Sequence, residues 1–148
     1  MLFRSWLGYR PHQQIPELVA GAIAGLIPIT NPRGRSSTGI SPLKLYETLA
    51  CGIAAVVTDL PGQAEVVRAG ACGVVIPCDD AAALAGAVAQ LAADPTAARE
   101  MGRRGAEFVR REHSWAARAA EIDRVLRAAL AERRDAAGSH GAGAKPSA

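Results

Sequence analysis

Hydrophobic positions along the chain form short apolar runs that alternate with segments of helical periodicity. The runs that predict β-strands cover residues 2–7, 26–29, 53–58 and 73–77. Between them, apolar side chains recur every three or four positions and predict helices over residues 13–22, 41–51 and 63–68. Strands that alternate with helices are typical of a parallel α/β sheet. Four strands are fewer than the roughly six of a doubly wound domain, so we predict an α/β fold with a partial Rossmann-like parallel sheet and flanking helices.

The second half of the sequence predicts three more helices, each with a capping residue at its start. The predicted N-caps are Asp79 or Asp80, then Asp94, then Ser114, because short polar side chains accept hydrogen bonds from the first backbone N–H groups of a helix. The last helix carries an apolar stripe made of Trp115, Ala119, Ile122 and Leu126. Small and polar residues predominate after it, so we predict one domain over residues 1–134 and a disordered tail over residues 135–148.

Composition and charge narrow the function classes. The 148 residues carry a formal net charge of +3, which is too mild for a basic nucleic-acid-binding stripe, so no nucleic-acid partner is expected. The longest apolar run, residues 18–29, is shorter than the roughly 20 residues that span a bilayer. Since no signal peptide is recognisable either, we predict a cytoplasmic protein without a transmembrane segment. The three cysteines form no CxxC pair and the three histidines are far apart, so no metal site is predicted.

The segment with the clearest chemistry lies at the start of the helix predicted from Ser41, the expected N-cap, with Pro42 as its first residue. Lys44 puts a positive charge in the first turn, where the helix dipole disfavours a cation by about 0.3–1 kcal/mol. An anion bound to the free N–H groups would remove that cost. Glu47, one turn deeper, could accept two hydrogen bonds from a ribose diol. A surface ion pair between Lys44 and Glu47, worth about 0.2–0.5 kcal/mol, is the alternative, and spacing alone does not decide between the two.

The order of motifs around this helix resembles a known family. The runs SPLKLYETLACGIAAVVTDLPGQAEVV, over residues 41–67, and GACGVVIP, from residue 70, are followed by the Ser-Trp helix near residue 115. Together they are similar to the C-terminal domain of group-1 (family 4 type) glycosyltransferases of the GT-B fold, over about residues 3–130. The resemblance implies the C-terminal Rossmann-like half of a GT-B enzyme. Such an enzyme transfers a hexose from a nucleoside-diphosphate sugar to an acceptor hydroxyl with retention of configuration, and needs no cofactor beyond that substrate.

The resemblance also implies roles for individual residues. Glu47 matches the second glutamate of the family's paired-glutamate motif, which binds the ribose. Ser41 to Lys44 match the helix N-terminus that holds the donor diphosphate, and residues 8–10 fall where the family encloses the nucleobase. The predicted donor-binding residues are Glu47, Lys44, Ser41, Pro42, Leu43, Gly39, Tyr9 and Arg10. No catalytic residue is assigned.

Two departures from the family pattern qualify this assignment. The first glutamate of the pair should stand eight positions before Glu47, where this chain has Gly39, so contacts to the donor sugar are expected to differ. The family's phosphate-binding arginine and lysine, and its N-terminal acceptor domain, have no counterpart in the sequence. Arg33 and Arg35 are either substitutes for those cations or solvated loop residues.

These departures leave several interpretations open. The chain is expected to be inactive alone and to depend on a separate N-terminal domain chain or on self-association through an unpaired sheet edge. The alternative functions are a non-catalytic nucleotide-binding or interaction remnant of such an enzyme, and a sugar-nucleotide epimerase of GT-B architecture.

Overall fold

The computed structural model describes residues 7–30 and 39–141, with side chains described as far as residue 134. A short 3-10 helix, His12–Gln14, precedes the first α-helix. The three strands are β1 (Gly25–Ile27), β2 (Ala55–Thr58) and β3 (Gly73–Ile76). The helices are α1 (Ile15–Ala20), α2 (Leu43–Ala50), α3 (Gln63–Gly70), α4 (Ala81–Ala93), α5 (Pro95–Glu112) and α6 (Trp115–Gly141). The chain divides into two compact units, residues 1–110 and residues 111–148.

The sheet of the first unit has the order β1-β2-β3, and both pairings are parallel. Helix α2 joins β1 to β2, and α3 joins β2 to β3. All four residues of β2 are buried, which agrees with its central position and with the apolar run that predicted it. The prediction of a parallel α/β sheet with flanking helices is therefore confirmed, with three strands in the described residues.

Both faces of β2 contribute to hydrophobic cores. One core contains Val57 with Leu45 and Leu49 of α2 and Val67 of α3. The other contains Val56 together with residues of α4 and α5, namely Ala87, Leu91 and Ala98. Alternate residues of a strand point to opposite faces, so the run Ala55–Thr58 supplies both layers. Full burial of one such valine or leucine contributes about 1.5–3 kcal/mol.

The predicted helix caps of the second half of the chain are confirmed. The Asp80 carboxylate accepts a hydrogen bond from the Ala83 N–H at 2.8 Å. Asp94 accepts from the N–H groups of Thr96 and Ala97. Ser114 Oγ accepts from the Ala117 N–H at 3.1 Å. Each bond satisfies a donor that has no partner within the helix.

The start of α2 differs from the prediction by one residue. Pro42, not Ser41, is the N-cap, with an extended backbone (φ −70°, ψ 129°) and no side-chain capping bond. Its carbonyl accepts the Leu45 N–H at 3.0 Å. Because the ψ angle of Pro42 is extended and not helical, Pro42 itself takes the N-cap position and Ser41 lies one residue further from the helix.

Some predictions fall wholly or partly outside the described residues. The strand predicted over residues 2–7 is described only at Leu7, which is not in a strand. Arg33 and Arg35 also lie outside. The tail predicted from residue 135 does not coincide with the end of α6, because that helix continues to Gly141. Ala136 and Ala137 favour helix, since alanine is the strongest helix former. Residues 142–148 are outside the described part.

In the second unit, the predicted stripe of α6 is present but its apolar side chains are exposed. Trp115 is 85% exposed and Ile122 60% exposed. None of the helices in the described part of the chain is long and apolar enough to cross a membrane.

Candidate functional site

Helix α2 places Lys44 and Glu47 together on its exposed side. Leu45 and Leu49 are fully buried beneath the helix, and this anchors its register against the sheet. Lys44 and Glu47 are both exposed and are neighbours on the helix surface, because residues three apart lie one turn apart. The structure does not form the alternative ion pair, since no salt bridge joins the two side chains. Within residues 7–30 and 39–134, neither charged group is held in an ion pair, and both side chains face solvent.

The N-terminus of α2 lies at the edge of the sheet where the strands end. Helix α2 follows β1, so its first turn lies on the carboxyl side of the parallel strands, which is where ligands bind in open α/β sheets. Its N-cap, Pro42, has no side chain able to accept a hydrogen bond. The first backbone N–H groups of the helix are thus left without a side-chain cap in the described part of the chain. Free N–H groups and the helix dipole favour an anion at this position.

Two neighbouring clefts share Lys44. One, of about 510 Å³, lies between the start of α2 and β1 and includes Pro42 and Leu43 in its wall. The other, of about 410 Å³, lies between α2 and α1 and includes Glu47. Lys44 lines both clefts. The arrangement can accept an elongated ligand with an anionic group at the helix N-terminus and a polar group beside Glu47.

The second cleft has contributors that the sequence did not single out. His12, Ile15, Pro16 and Val19 form its wall on the side of α1. Ile15 and Val19 belong to the helix that the sequence predicts over residues 13–22, and the sequence assigns no role to His12. Their spacing does signal one face of a helix, but nothing in the sequence shows that this face meets α2.

The predicted residues outside α2 lie in different places. Gly39 has a positive φ of 75°, and the adjacent Ile40 forms an isolated parallel bridge with Gly62. The Ile40 N–H donates to the Pro61 carbonyl at 2.7 Å. This bond holds the segment before α2 against the loop that leads from β2 into α3. Ser41 is exposed beside it.

Tyr9 and Arg10 are exposed, and neither lines the two clefts around Lys44. They lie just before the 3-10 helix that contributes His12. Their assignment to the nucleobase stays a prediction.

A buried polar group fixes the end of β2 near this site. Thr58 Oγ1 donates to the Ile29 carbonyl at 2.7 Å. The Gln63 amide donates to both the carbonyl and the hydroxyl of Thr58. These bonds connect the segment that follows β1 and the last residue of β2 to the first turn of α3, so they hold this part of the carboxyl edge of the sheet together.

Two other ionisable groups at the sheet, Asp59 and Cys72, have shifted pKa values. Asp59, next to Thr58, is paired with Arg68 at 2.9 Å, and the hydrogen bond from Arg68 lowers the pKa of its carboxyl group. Burial raises the pKa of the Cys72 thiol to about 11, which keeps it protonated near neutral pH. Among the described residues, no group of three or more His, Cys, Asp or Glu side chains could hold a metal ion.

Comparisons with known proteins agree with this architecture. The family model described as "Glycosyl transferase-like" matches residues 4–124. Among solved structures, sucrose-phosphate synthase from Thermosynechococcus elongatus is similar, with a TM-score of 0.72 and 26% sequence identity. The match covers 86% of this chain and 30% of that structure, so the chain spans less than a third of the protein it resembles. A comparison with curated protein sequences found no match.

The family model covers most of the chain, and the structural match reproduces the parallel sheet with its flanking helices. The chain therefore belongs to the glycosyl transferase-like family and forms a Rossmann-like domain of the GT-B, group-1 type.

Proposed function

We propose that this domain binds the nucleoside diphosphate of a sugar nucleotide at the N-terminal end of α2 and presents the sugar for transfer to an acceptor. The observation that carries the proposal is that Lys44 and Glu47 lie exposed on one edge of α2, beside a helix N-terminus without a side-chain cap, and have no ion-pair partner among the described residues. An anion at that N-terminus would offset the unfavourable position of Lys44 in the first turn. Family membership supports glycosyl transfer as the overall reaction.

Each part of the donor has a matching group in the two clefts. The diphosphate would accept hydrogen bonds from the backbone N–H groups of Leu43 and Lys44 and pair with the Lys44 ammonium. The ribose hydroxyls would donate to the Glu47 carboxylate, one turn further along. The apolar wall formed by Ile15 and Val19 would then lie beside the nucleoside. This placement orders phosphate, ribose and base along α2.

The chemistry of the transfer follows from charge. As the bond between the sugar and the diphosphate breaks, negative charge grows on the leaving diphosphate. A fixed cation and preorganised N–H donors stabilise that charge more than they stabilise the bound donor, and this lowers the barrier. A retaining outcome rests on the resemblance to the family. Gly39 in place of the first glutamate removes one carboxylate that would hold the sugar, so sugar selection would depend on other groups.

The test is calorimetric titration with UDP, GDP and ADP and with the corresponding nucleosides. Lys44→Met should weaken nucleoside-diphosphate binding by about tenfold, as for a lost charge-assisted contact, and leave nucleoside binding unchanged. Glu47→Gln should weaken the binding of both nucleoside diphosphates and nucleosides, because both carry the ribose hydroxyls. It should have little effect on the binding of 2′,3′-dideoxynucleotides, which lack them. Glu65→Gln, an exposed carboxylate of α3, is the matched control. Absence of binding by every nucleotide, or equal affinities for Lys44→Met and wild type, would contradict the proposal.

A second candidate function is nucleotide binding without catalysis. Gly39 favours it, because the family places a sugar-binding glutamate at that position. The distinguishing measurement is release of nucleoside diphosphate from bound sugar nucleotides, with the protein supplied in its full natural context. Tight binding without release, with and without candidate acceptors, would favour the non-catalytic function.

A further inference from the structure

Helix α6 carries a long apolar face. Its large side chains are all more than half exposed: Trp115, Ile122, Val125, Leu126 and Leu130. They follow the spacing of one helix face, because positions three, four and seven apart lie on the same side. Burial of this face against another surface would remove these apolar side chains from water, which is favourable.

The spacing along this face is that of a two-stranded coiled coil. Trp115, Ile122 and Ala129 are seven residues apart, and Ala119, Leu126 and Arg133 form the second series, offset by four. These two series are the a and d positions of a heptad pattern. The alanines at two of the six positions permit a close approach of the two helix backbones.

We propose that the apolar face of α6 binds α6 of a second copy of this chain in antiparallel orientation. In that orientation Ile122 lies opposite Leu126 of the second copy, and Ala119 lies opposite Ala129. Trp115 lies opposite Arg133 of the second copy, where a guanidinium can stack on the indole ring. Every position of the pattern then has a compatible partner.

Charges beside the face favour the same arrangement. Arg118 and Glu132 each come directly before a position of the second series, Ala119 and Arg133. Flanking positions of this kind meet one another across an antiparallel pair, so Arg118 of each copy lies next to Glu132 of the other. Glu132 has no basic residue three or four positions away on its own helix. Glu121 and Asp123 of the same helix already have partners, in the pairs Glu121–Arg124 and Asp123–Arg127.

Arg118 is compatible with this role although it has a neighbour in its own chain. Its Nη2 lies 2.6 Å from His113 Nδ1. Burial, and secondly the positive charge of Arg118, lower the pKa of His113. The imidazole is therefore neutral near neutral pH and does not compete as a charge.

The parallel alternative is less favourable. In a parallel pair, Arg133 would face Arg133 of the second copy, which brings two like charges together at the C-terminal end of the pattern. In the antiparallel pair, the like charges that approach are the two Asp123 carboxylates. Each of these is neutralised by Arg127 of its own helix at 2.6 Å.

The test is a charge exchange measured by sedimentation equilibrium of the full chain over a concentration series. Wild type should form dimers. Arg118→Glu and Glu132→Arg should each weaken dimerisation by about tenfold, because each places two like-charged pairs across the interface. The double variant should restore it. Arg134→Glu makes the same charge change as Arg118→Glu at a position outside the proposed interface, and it should leave dimerisation unchanged. Circular dichroism checks that each variant keeps its helix content.

Several results would overturn the proposal. These are a monomeric wild type, a dimer that both single variants leave intact, or a dimer lost in the single variants that the double variant fails to restore. Restoration by exchanging Arg118 with Asp123 instead would indicate the parallel arrangement. A monomeric wild type that sediments with vesicles of anionic lipid would assign the face to a membrane surface.

Discussion

Gln63 and Thr58 form a doubly bonded pair in the buried end of the sheet. Gln63 Nε2 donates to the Thr58 carbonyl at 2.9 Å and to its hydroxyl at 2.8 Å. The hydroxyl in turn donates to the Ile29 carbonyl at 2.7 Å. Gln63 Oε1 is buried and has no hydrogen-bond partner in the described part of the chain. The pair therefore fixes the loop from β2 to α3 at the expense of one unsatisfied acceptor.

Thr58→Val is expected to destabilise the domain by about 1–2 kcal/mol. The substitution keeps the shape of the side chain but removes a hydroxyl that makes one buried and one partly buried hydrogen bond, and it leaves the Ile29 carbonyl without that donor. Urea denaturation measures the change as a lower midpoint at an unchanged slope. Thr58→Ser keeps the hydroxyl and is the control. Equal stability of the valine variant and wild type would show that water replaces both bonds.

Gly102→Ala is expected to destabilise the domain by about 1–3 kcal/mol, the usual cost of overpacking. A β-carbon at Gly102 would overlap the Gly52 carbonyl, so α5 would have to move away from the turn after α2. Gly86→Ala in α4 is the matched control, because nothing lies within 4 Å of the added methyl group. That variant should be more stable by about 0.5–1 kcal/mol, since alanine favours helix. Thermal unfolding of both variants should therefore shift in opposite directions, and a shift in the same direction would contradict the packing.

Asp94→Ala is expected to lower the free energy of unfolding by about 1 kcal/mol, because α5 loses its N-cap. One carboxylate oxygen accepts from the N–H groups of both Thr96 and Ala97, at 3.1 and 2.9 Å. Asp94→Asn retains an acceptor and should keep most of the stability. Chemical denaturation of the three proteins compares them directly. If the asparagine variant lost as much stability as the alanine variant, the stabilisation by Asp94 would come from its charge at the helix N-terminus and not from the capping hydrogen bonds.

Cys72 is expected to react with iodoacetamide only when the protein unfolds. Its side chain is fully buried, and burial raises the thiol pKa from 9.0 to about 11, so little thiolate exists and reagent cannot reach it. Cys51 and Cys78 are partly exposed and should react in the native state. The measurement is mass spectrometry of labelled protein after Cys51→Ser and Cys78→Ser substitution. Rapid native labelling of the remaining thiol would contradict the burial.

The same shift predicts a dependence of stability on pH. Because the folded state holds the thiol proton more tightly than the unfolded chain, its contribution is complete below pH 9 and is lost as the pH rises toward 11. Wild type should therefore lose more stability than Cys72→Ala over this interval, as measured by urea denaturation at each pH.

The sequence by itself determined the elements and their class. The run over residues 53–58 predicted a strand covered on both faces, and β2 is buried at every residue. Asp80, Asp94 and Ser114 marked helix starts because capping is a local interaction between a side chain and the next few N–H groups. The spacing of Lys44 and Glu47 likewise placed both on one edge of α2, since that relation depends only on helical geometry.

Tertiary structure decided what these elements meet. Gly102 of α5 approaches Gly52, Thr58 donates to Ile29, and His12 lines the same cleft as Glu47. These relations join segments that are distant in sequence, so no local pattern signals them. It also decided that Lys44 and Glu47 do not form the ion pair that their spacing left open as an alternative, and that the apolar stripe of α6 is exposed. A periodic pattern fixes which side chains share a face. What covers that face depends on packing between distant parts of the chain or between chains, and the periodicity of one helix holds no information about it.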